Sequence, residues 1–226
     1  MYKRQPVIQE EIEAIELDFI QEDLPKIIYS MKIGADRIRE IVLSLRTFSR
    51  LDEAEMKAVN IHEGLDSTLL ILQSRLKAKP DRVVITVIKE YGNLPQVDCY
   101  PGQLNQVFMN LLSNAIDALE GLIDKQKENH QTPLTNPTIW IKTKVINEDK
   151  VKISITDNGA GIPQDVISRL FDPFFTTKPV GKGTGLGLAI SHSIIVEKHR
   201  GQLICNSSLN QGAEFIINIP IHQPEN

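Results

Sequence analysis

The sequence predicts an α+β fold: a two-layer sandwich in which a mixed, mainly antiparallel sheet is covered on one face by helices and preceded by a helical segment. Three observations carry this. Residues 6–55 contain a single glycine, Gly34, and are rich in Ile, Glu, Lys, Arg and Leu, a helical composition. TIWIKTKVI (138–146) and KVKISITD (150–157) alternate apolar and polar residues across a short NEDK connection, the pattern of a β-hairpin. On either side of that hairpin, amphipathic helical stretches alternate with short strand-like runs.

At 226 residues, 41% of them hydrophobic, the chain has room for one ordinary domain plus an appended helical segment. A net charge of -4, with no basic run interleaved with aromatics, argues against nucleic-acid partners. Cys99 and Cys205 stand far apart and suggest neither a disulfide framework nor a zinc site. No apolar run reaches the roughly 20 residues that span a bilayer, and the opening MYKRQPVIQEEIE lacks a signal-peptide stretch, so a cytoplasmic location is expected.

Taken in order, a short helix is expected from about Val7 to Gln21. A longer one follows from about Leu24 to Leu51, opened by Asp23 and Pro25. Ile38, Ile41, Val42, Leu45, Phe48 and Leu51 step by threes and fours, which lays one apolar stripe along it. A long stripe with only a short helix before it cannot close its own core, so helix–helix association or dimerisation is the expected outlet. Arg37, Arg39 and Glu40 read as its solvated face. From about Ala58 the composition changes: a helix Ile61–Lys77, a strand Val83–Ile88, and a turn region holding Gly92, Asn93 and Pro95. An amphipathic helix from Gln103 to Leu119 comes next, then polar residues 124–136 as a loop or fraying helix end, then the hairpin. After an irregular stretch come a helix Gly187–Lys198 and the closing strand pair GQLICNSS and AEFIINIPI. The expected division is 1–56, 57–222 and a tail 223–226.

The residues with chemical potential lie in three places. Asn110, Asn114 and Asp117 share one side of the Gln103–Leu119 helix, opposite Leu104, Val107, Leu111, Leu112 and Ala115. Amide oxygens suit a hard cation that already carries phosphate, and Asn is a poor interior helix former; the alternative is a merely solvated helix surface. In DNGAGI (157–162), Asp157 ends a strand where a buried carboxylate can accept from an exocyclic amino group, which suits adenine and excludes guanine. Gly159 and Gly161 allow close backbone approach, although Asp-Asn-Gly is also ordinary turn chemistry. In GKGTGLGL (181–188), four glycines ahead of a helix present bare N–H groups to an anion, phosphate being the obvious one. Lys178 and Lys182 can add positive charge there or be simply solvated. LFDPFFTTK (170–178) carries three phenylalanines that either pin a loop to the core or hold a lid.

Singly these signals are weak; their order and separation are specific. The chain resembles the catalytic and ATP-binding region of a sensor histidine kinase of two-component systems, in the GHKL superfamily shared with gyrase, the Hsp90 chaperones and MutL. NQVFMNLLSNAIDAL resembles the N box, DNGAGI the G1 box, FDPFFTTK the F box and GTGLGLAIS the G2 box, and the match covers about Val59 to Ile221. Residues 37–55 resemble the second helix of the dimerisation and phosphotransfer domain. The resemblance implies a Bergerat ATP-binding fold. It implies that Asp157 binds the adenine amino group with Gly159, Gly161 and Ile162 beside it, and that Asn114, helped by Asn110, holds Mg2+. Gly181 to Gly187, including Lys182, Gly183, Thr184, Gly185 and Leu186, would cradle phosphate under a flexible lid, with Asp117, Phe171, Thr177 and Lys178 completing the ATP site. Asn110 and Lys178 are the expected catalytic pair. Where hydrolysing relatives place a glutamate to activate water, this chain has Asn110, which cannot act as a general base, so transfer is favoured over hydrolysis.

Departures matter too. None of His62, His130, His192, His199 and His222 lies on the front helices with an acidic neighbour, so the H-box helix is expected to be missing from this chain; each reads as an ordinary surface or helix-end histidine. Gly212 and Ala213 stand where relatives often have Gly-Thr, and Arg200 replaces a frequent glycine. The reading is therefore a Mg-ATP-dependent histidine kinase core, acting on a histidine carried by an H-box phosphotransfer domain and feeding a response regulator. This fragment is not expected to autophosphorylate. The alternative is a non-catalytic ATP-binding dimerisation module.

Overall fold

The computed structural model describes residues 22–32, 35, 55–77, 84–128, 136–178 and 185–223. The chain divides into two compact units, residues 1–43 and 44–226. In the first, residues 22–32 are helical, and Lys26 reaches Asp23 at 3.2 Å and Glu22 at 3.9 Å. Leu24, Ile27, Ile28, Tyr29 and Met31 on this helix are all exposed. The helix expected at 7–21 and the stripe from Ile38 to Leu51 lie outside the described residues.

The second unit is an α/β sandwich. Its five-stranded sheet has the order β2-β4-β5-β7-β6, with β2 (Thr86–Tyr91), β4 (Thr138–Ile146), β5 (Lys150–Asp157), β6 (Gln202–Ser207) and β7 (Ala213–Pro220). Among the described residues only β2 and β4 pair in parallel; the other neighbours are antiparallel. β1 (Lys57–Val59) and β3 (Val97–Cys99) form a separate antiparallel pair that sequence patterning alone did not suggest, each strand being too short to show a period.

Two helices, α1 (Ile61–Leu76) and α2 (Pro101–Glu128), cover the sheet. Asn60 caps α1, its side chain accepting from the His62 N–H at 3.0 Å. Ile61, Leu65, Leu69 and Leu72 then step by fours and threes into the core. α2 buries Leu104, Val107, Phe108, Leu111, Leu112, Ile116, Leu119 and Ile123 on the inner faces of β4, β5 and β7, where Ile139, Ile141, Ile153, Ile155, Phe215 and Ile217 wait. At about 1.5–3 kcal/mol for each fully buried aliphatic side chain, this layer holds the unit together. α2 outruns the expected end at Leu119 because the stripe continues to buried Ile123, while Gly121 faces open space. Pro101 opens it with its fixed φ.

Two shorter helices complete the unit: α3 (Gln164–Ile167) and α4 (Gly187–Ser193), the latter running into a π-helical turn, Ile194–Lys198. β2 lies further along the chain than the expected 83–88: Ile85 is buried but bonds to the end of α1, its N–H donating to the Leu76 carbonyl at 3.1 Å. Among the described residues no helix is long and apolar enough to cross a membrane.

Candidate functional site

The polar side of α2 is where the sequence placed it. With Leu104, Val107, Leu111, Leu112 and Ala115 buried, Asn110, Asn114 and Asp117 are left half-buried on the other side. Asn110 Nδ2 donates to the Gly187 carbonyl at 2.9 Å and to Ser191 Oγ at 3.1 Å, which ties α2 to the head of α4. Those two acceptors set the amide orientation, and among the described residues Asn110 Oδ1 has no hydrogen-bond partner.

One turn further on, Asn114 Oδ1 accepts from Lys178 Nζ at 3.1 Å. Lys178 also pairs with Asp117 Oδ2. The second Asp117 oxygen meets Arg75 of α1 at 2.5 Å, and Arg75 reaches Glu120 at 2.6 Å. Burial pushes the Asp117 carboxyl up, but the hydrogen bonds and charges of Lys178 and Arg75 outweigh it and hold the group below its ordinary value.

Asp157 ends β5 and is only 4% exposed. Burial raises its pKa to about 6, against the opposing pull of the Gly159 and Ala213 backbone N–H groups. Its Oδ1 accepts from Gly159 N at 2.8 Å, and no basic side chain among the described residues pairs with it. Such a group retains acceptor capacity for an amino group. What keeps side chains off the loop is the protein's own chain: a Cβ at Gly159 would stand 2.7 Å from Asp157 Oδ1 and 3.3 Å from the Ala118 Cβ, and Gly161 has φ +73 with Ser208 O only 2.0 Å from where a Cβ would sit. The loop is thereby pressed against α2 on one side and the β6–β7 turn on the other. Ile162 N donates to Ser207 Oγ at 2.8 Å, and Ser207 Oγ donates to Gly212 O at 2.6 Å.

The remaining expected residues divide. Phe171 packs against the core, its ring 5.0 Å from that of His192, and so pins the irregular stretch. Gly185 sits on Phe174, where a Cβ would come within 2.4 Å of the Phe174 carbonyl carbon. Leu186 lines a groove of about 380 Å³ with Pro173, Ala189 and Ile190, to which Asp157 does not contribute. Thr177 is exposed, and it is Thr176 whose hydroxyl accepts from Lys178 N at 3.2 Å. Lys182, Gly183 and Thr184 lie outside the described residues.

Arg75, Ser191 and Ser207 were not singled out by sequence, since each gains its role from a partner distant in the chain. His199 is a helix-end histidine, one of the two expected readings, capping the π-helical turn, but it is fully buried and not at the surface. Its Nε2 accepts from Tyr100 N at 3.0 Å, so Nδ1 carries the hydrogen donated to Ile194 O at 2.8 Å. Burial lowers its pKa. His62 is half-buried, stacked on Tyr91 at 4.2 Å.

Residues 99–223 match the family described as histidine kinase-, DNA gyrase B-, and HSP90-like ATPase. The chain is 34% identical over 196 residues to sensor kinase CckA of Brucella abortus (strain 2308), covering 85% of this chain and 20% of that protein. It is 29% identical over 187 residues to sporulation kinase E of Bacillus subtilis (strain 168), covering 83% of this chain and 23% of that protein. Among solved structures, the nucleotide-free catalytic domain of histidine kinase ThkA superposes with a TM-score of 0.56 at 28% identity, over 74% of this chain and 98% of that one. The chain thus spans about a fifth of the length of these curated relatives.

Proposed function

The chain belongs to the histidine kinase-, DNA gyrase B- and HSP90-like ATPase family, and on that premise we propose that it binds Mg-ATP and delivers the γ-phosphate to a histidine on an H-box phosphotransfer domain, from which a response regulator is served. The observation that carries this reading is Asn110. Its amide nitrogen is committed to Gly187 and Ser191, and the side chain offers no base to activate water. A nucleotide held here is therefore protected from hydrolysis and available for transfer.

Asp157 accepts from the adenine amino group, and with no basic side chain paired to it among the described residues its buried carboxyl is available to do so. The donor chemistry fits a divalent ion. Asn114 Oδ1 already faces a cationic group, Asn110 Oδ1 has no hydrogen-bond partner among the described residues, and uncharged amide oxygens suit an ion whose other ligands are phosphates. Asn114 and Asn110 would hold Mg2+, which supplies charge neutralisation at the phosphates when bound. Lys178 stands ready to pair with the terminal phosphates. Lys182, Gly183, Thr184, Gly185 and Gly187 are assigned to the phosphate cradle, with Gly187 seated on Asn110.

The test is to mix the chain with labelled ATP, Mg2+ and a separate H-box helical domain: label on that domain is expected, and no label under saturating ATP would count against the proposal. A second reading, an ATP-binding dimerisation module without transfer, is favoured by the exposed Leu24, Ile27, Ile28, Tyr29 and Met31 of the front helix. It requires ATP binding and dimerisation with no transfer to any acceptor.

A further inference from the structure

Two cationic side chains share Asp117, and they are not equivalent. Arg75 stands in the last turn of α1, takes one carboxylate oxygen, and spends its remaining reach on Glu120. Lys178 stands on irregular backbone, takes the other oxygen, and extends to Asn114 Oδ1 at 3.1 Å. Asn114 and Asp117 are three residues apart on one helix face, so a single ammonium can bridge them. Asn114 Oδ1 is also the oxygen proposed above to ligate the divalent ion.

We infer that Lys178 is an internal stand-in for the divalent cation: in the nucleotide-free chain its ammonium occupies the Asn114–Asp117 position, and the ion enters only as the ammonium is drawn off to phosphate. The inference rests on the reading of Asn114 as a metal ligand. Its chemical basis is competition for one position. Asn114 Oδ1 has two lone pairs, but an ammonium hydrogen-bonded to it and a divalent ion ligated by it would stand a few ångströms apart as two cations and repel. Without nucleotide, an incoming ion must displace Lys178 and leave it with one partner fewer. With nucleotide, the polyphosphate gives the displaced ammonium a new anionic partner, so ion and nucleotide bind together and neither binds well first. Arg75 stays on Asp117 throughout and keeps the carboxylate compensated while Lys178 moves.

The experiment is Mn2+ titration of the whole chain, followed by paramagnetic broadening of the Asn114 side-chain amide signals. In the wild type, Mn2+ with ATP is expected to broaden them, and Mn2+ alone to do so only weakly. In Lys178→Met without nucleotide, the apparent Mn2+ affinity is expected to rise about tenfold, the worth of one charge-assisted hydrogen bond no longer broken. Arg75→Met removes the same charge from Asp117 without freeing Asn114, so its Mn2+ affinity is expected to change by no more than about twofold.

If Arg75→Met gains as much as Lys178→Met, the effect is charge alone and the inference fails. It fails equally if Lys178→Met binds Mn2+ no better than wild type while the ATP arm still broadens Asn114. Absence of broadening in the wild-type ATP arm overturns the assignment of Asn114 itself, and the stand-in role with it.

Discussion

Arg75 and Asp117 meet at 2.5 Å between the last turn of α1 and the polar side of α2, so the candidate site is anchored to the helical layer by an ion pair that lies outside all of the glycine motifs. Both side chains are about a third exposed, 29% and 33%, which limits what the pair contributes. Arg75→Ala is expected to cost about 1 kcal/mol, seen as a drop of about 2–4 °C in the thermal midpoint that shrinks at high salt. A salt-independent loss would mean that packing, not charge, is what Arg75 supplies.

Asp157 separates binding from stability. Its folded pKa, about 6, lies above the ordinary 3.8, so its favourable contribution to folding is complete below about pH 4 and is lost as pH rises through 6. Above pH 6 the buried charge costs on the order of 2–3 kcal/mol. Asp157→Asn is therefore expected to lose ATP affinity by about tenfold or more while keeping or raising the melting temperature at pH 7.5. Calorimetric binding and a melt on the same sample check it. Loss of both together would make Asp157 a structural residue.

His199 has the opposite sign. Its folded pKa is depressed, so the stability it contributes is present above the ordinary 6.5 and declines as pH falls below it, when the unfolded chain takes up a proton that the buried ring refuses. His199→Ala leaves Tyr100 N–H and Ile194 C=O each one partner short and is expected to cost about 2–4 kcal/mol at pH 7.5, less at pH 5. Urea unfolding at the two pH values gives the comparison; equal costs would remove the titration argument.

Glycines give a contrast within one unit. At Gly121 an added methyl meets nothing within 4 Å on a helix, and Gly121→Ala is expected to stabilise by about 0.5–1 kcal/mol. At Gly161 the left-handed backbone alone costs about 1–2 kcal/mol, before the overlap with Ser208 O is relieved. Gly161→Ala should therefore melt below wild type and bind ATP more weakly. If the two variants melted alike, the crowding around Gly161 would be immaterial.

The layer order and most of the core were legible because they depend on periodicity. The stripe of α2, the alternation of β4 and β5, and the closing pair β6–β7 all announce themselves within a dozen residues. So did Asn110, Asn114, Asp117 and Asp157, through spacing and through the order of the motifs. What was not legible depends on meetings between distant residues: Arg75 with Asp117, Ser207 with Ile162, His199 with Tyr100. β1 and β3 escaped for the same reason, being three-residue strands defined by one another. The expected end of α2 at Leu119 fell short because the apolar stripe continues to buried Ile123.

The parallel pairing of β2 with β4 predicts an order of events in folding. β4, β5, β7 and β6 are joined to their neighbours by antiparallel pairing, whereas β2 reaches the sheet edge only after the whole of α2 has crossed back. Such a strand is expected to dock late, after the rate-limiting ensemble has formed around the central strands. Val87→Ala in β2 is then expected to accelerate unfolding and leave refolding nearly unchanged, while Ile153→Val in β5 slows refolding, a difference that the two arms of a chevron plot separate.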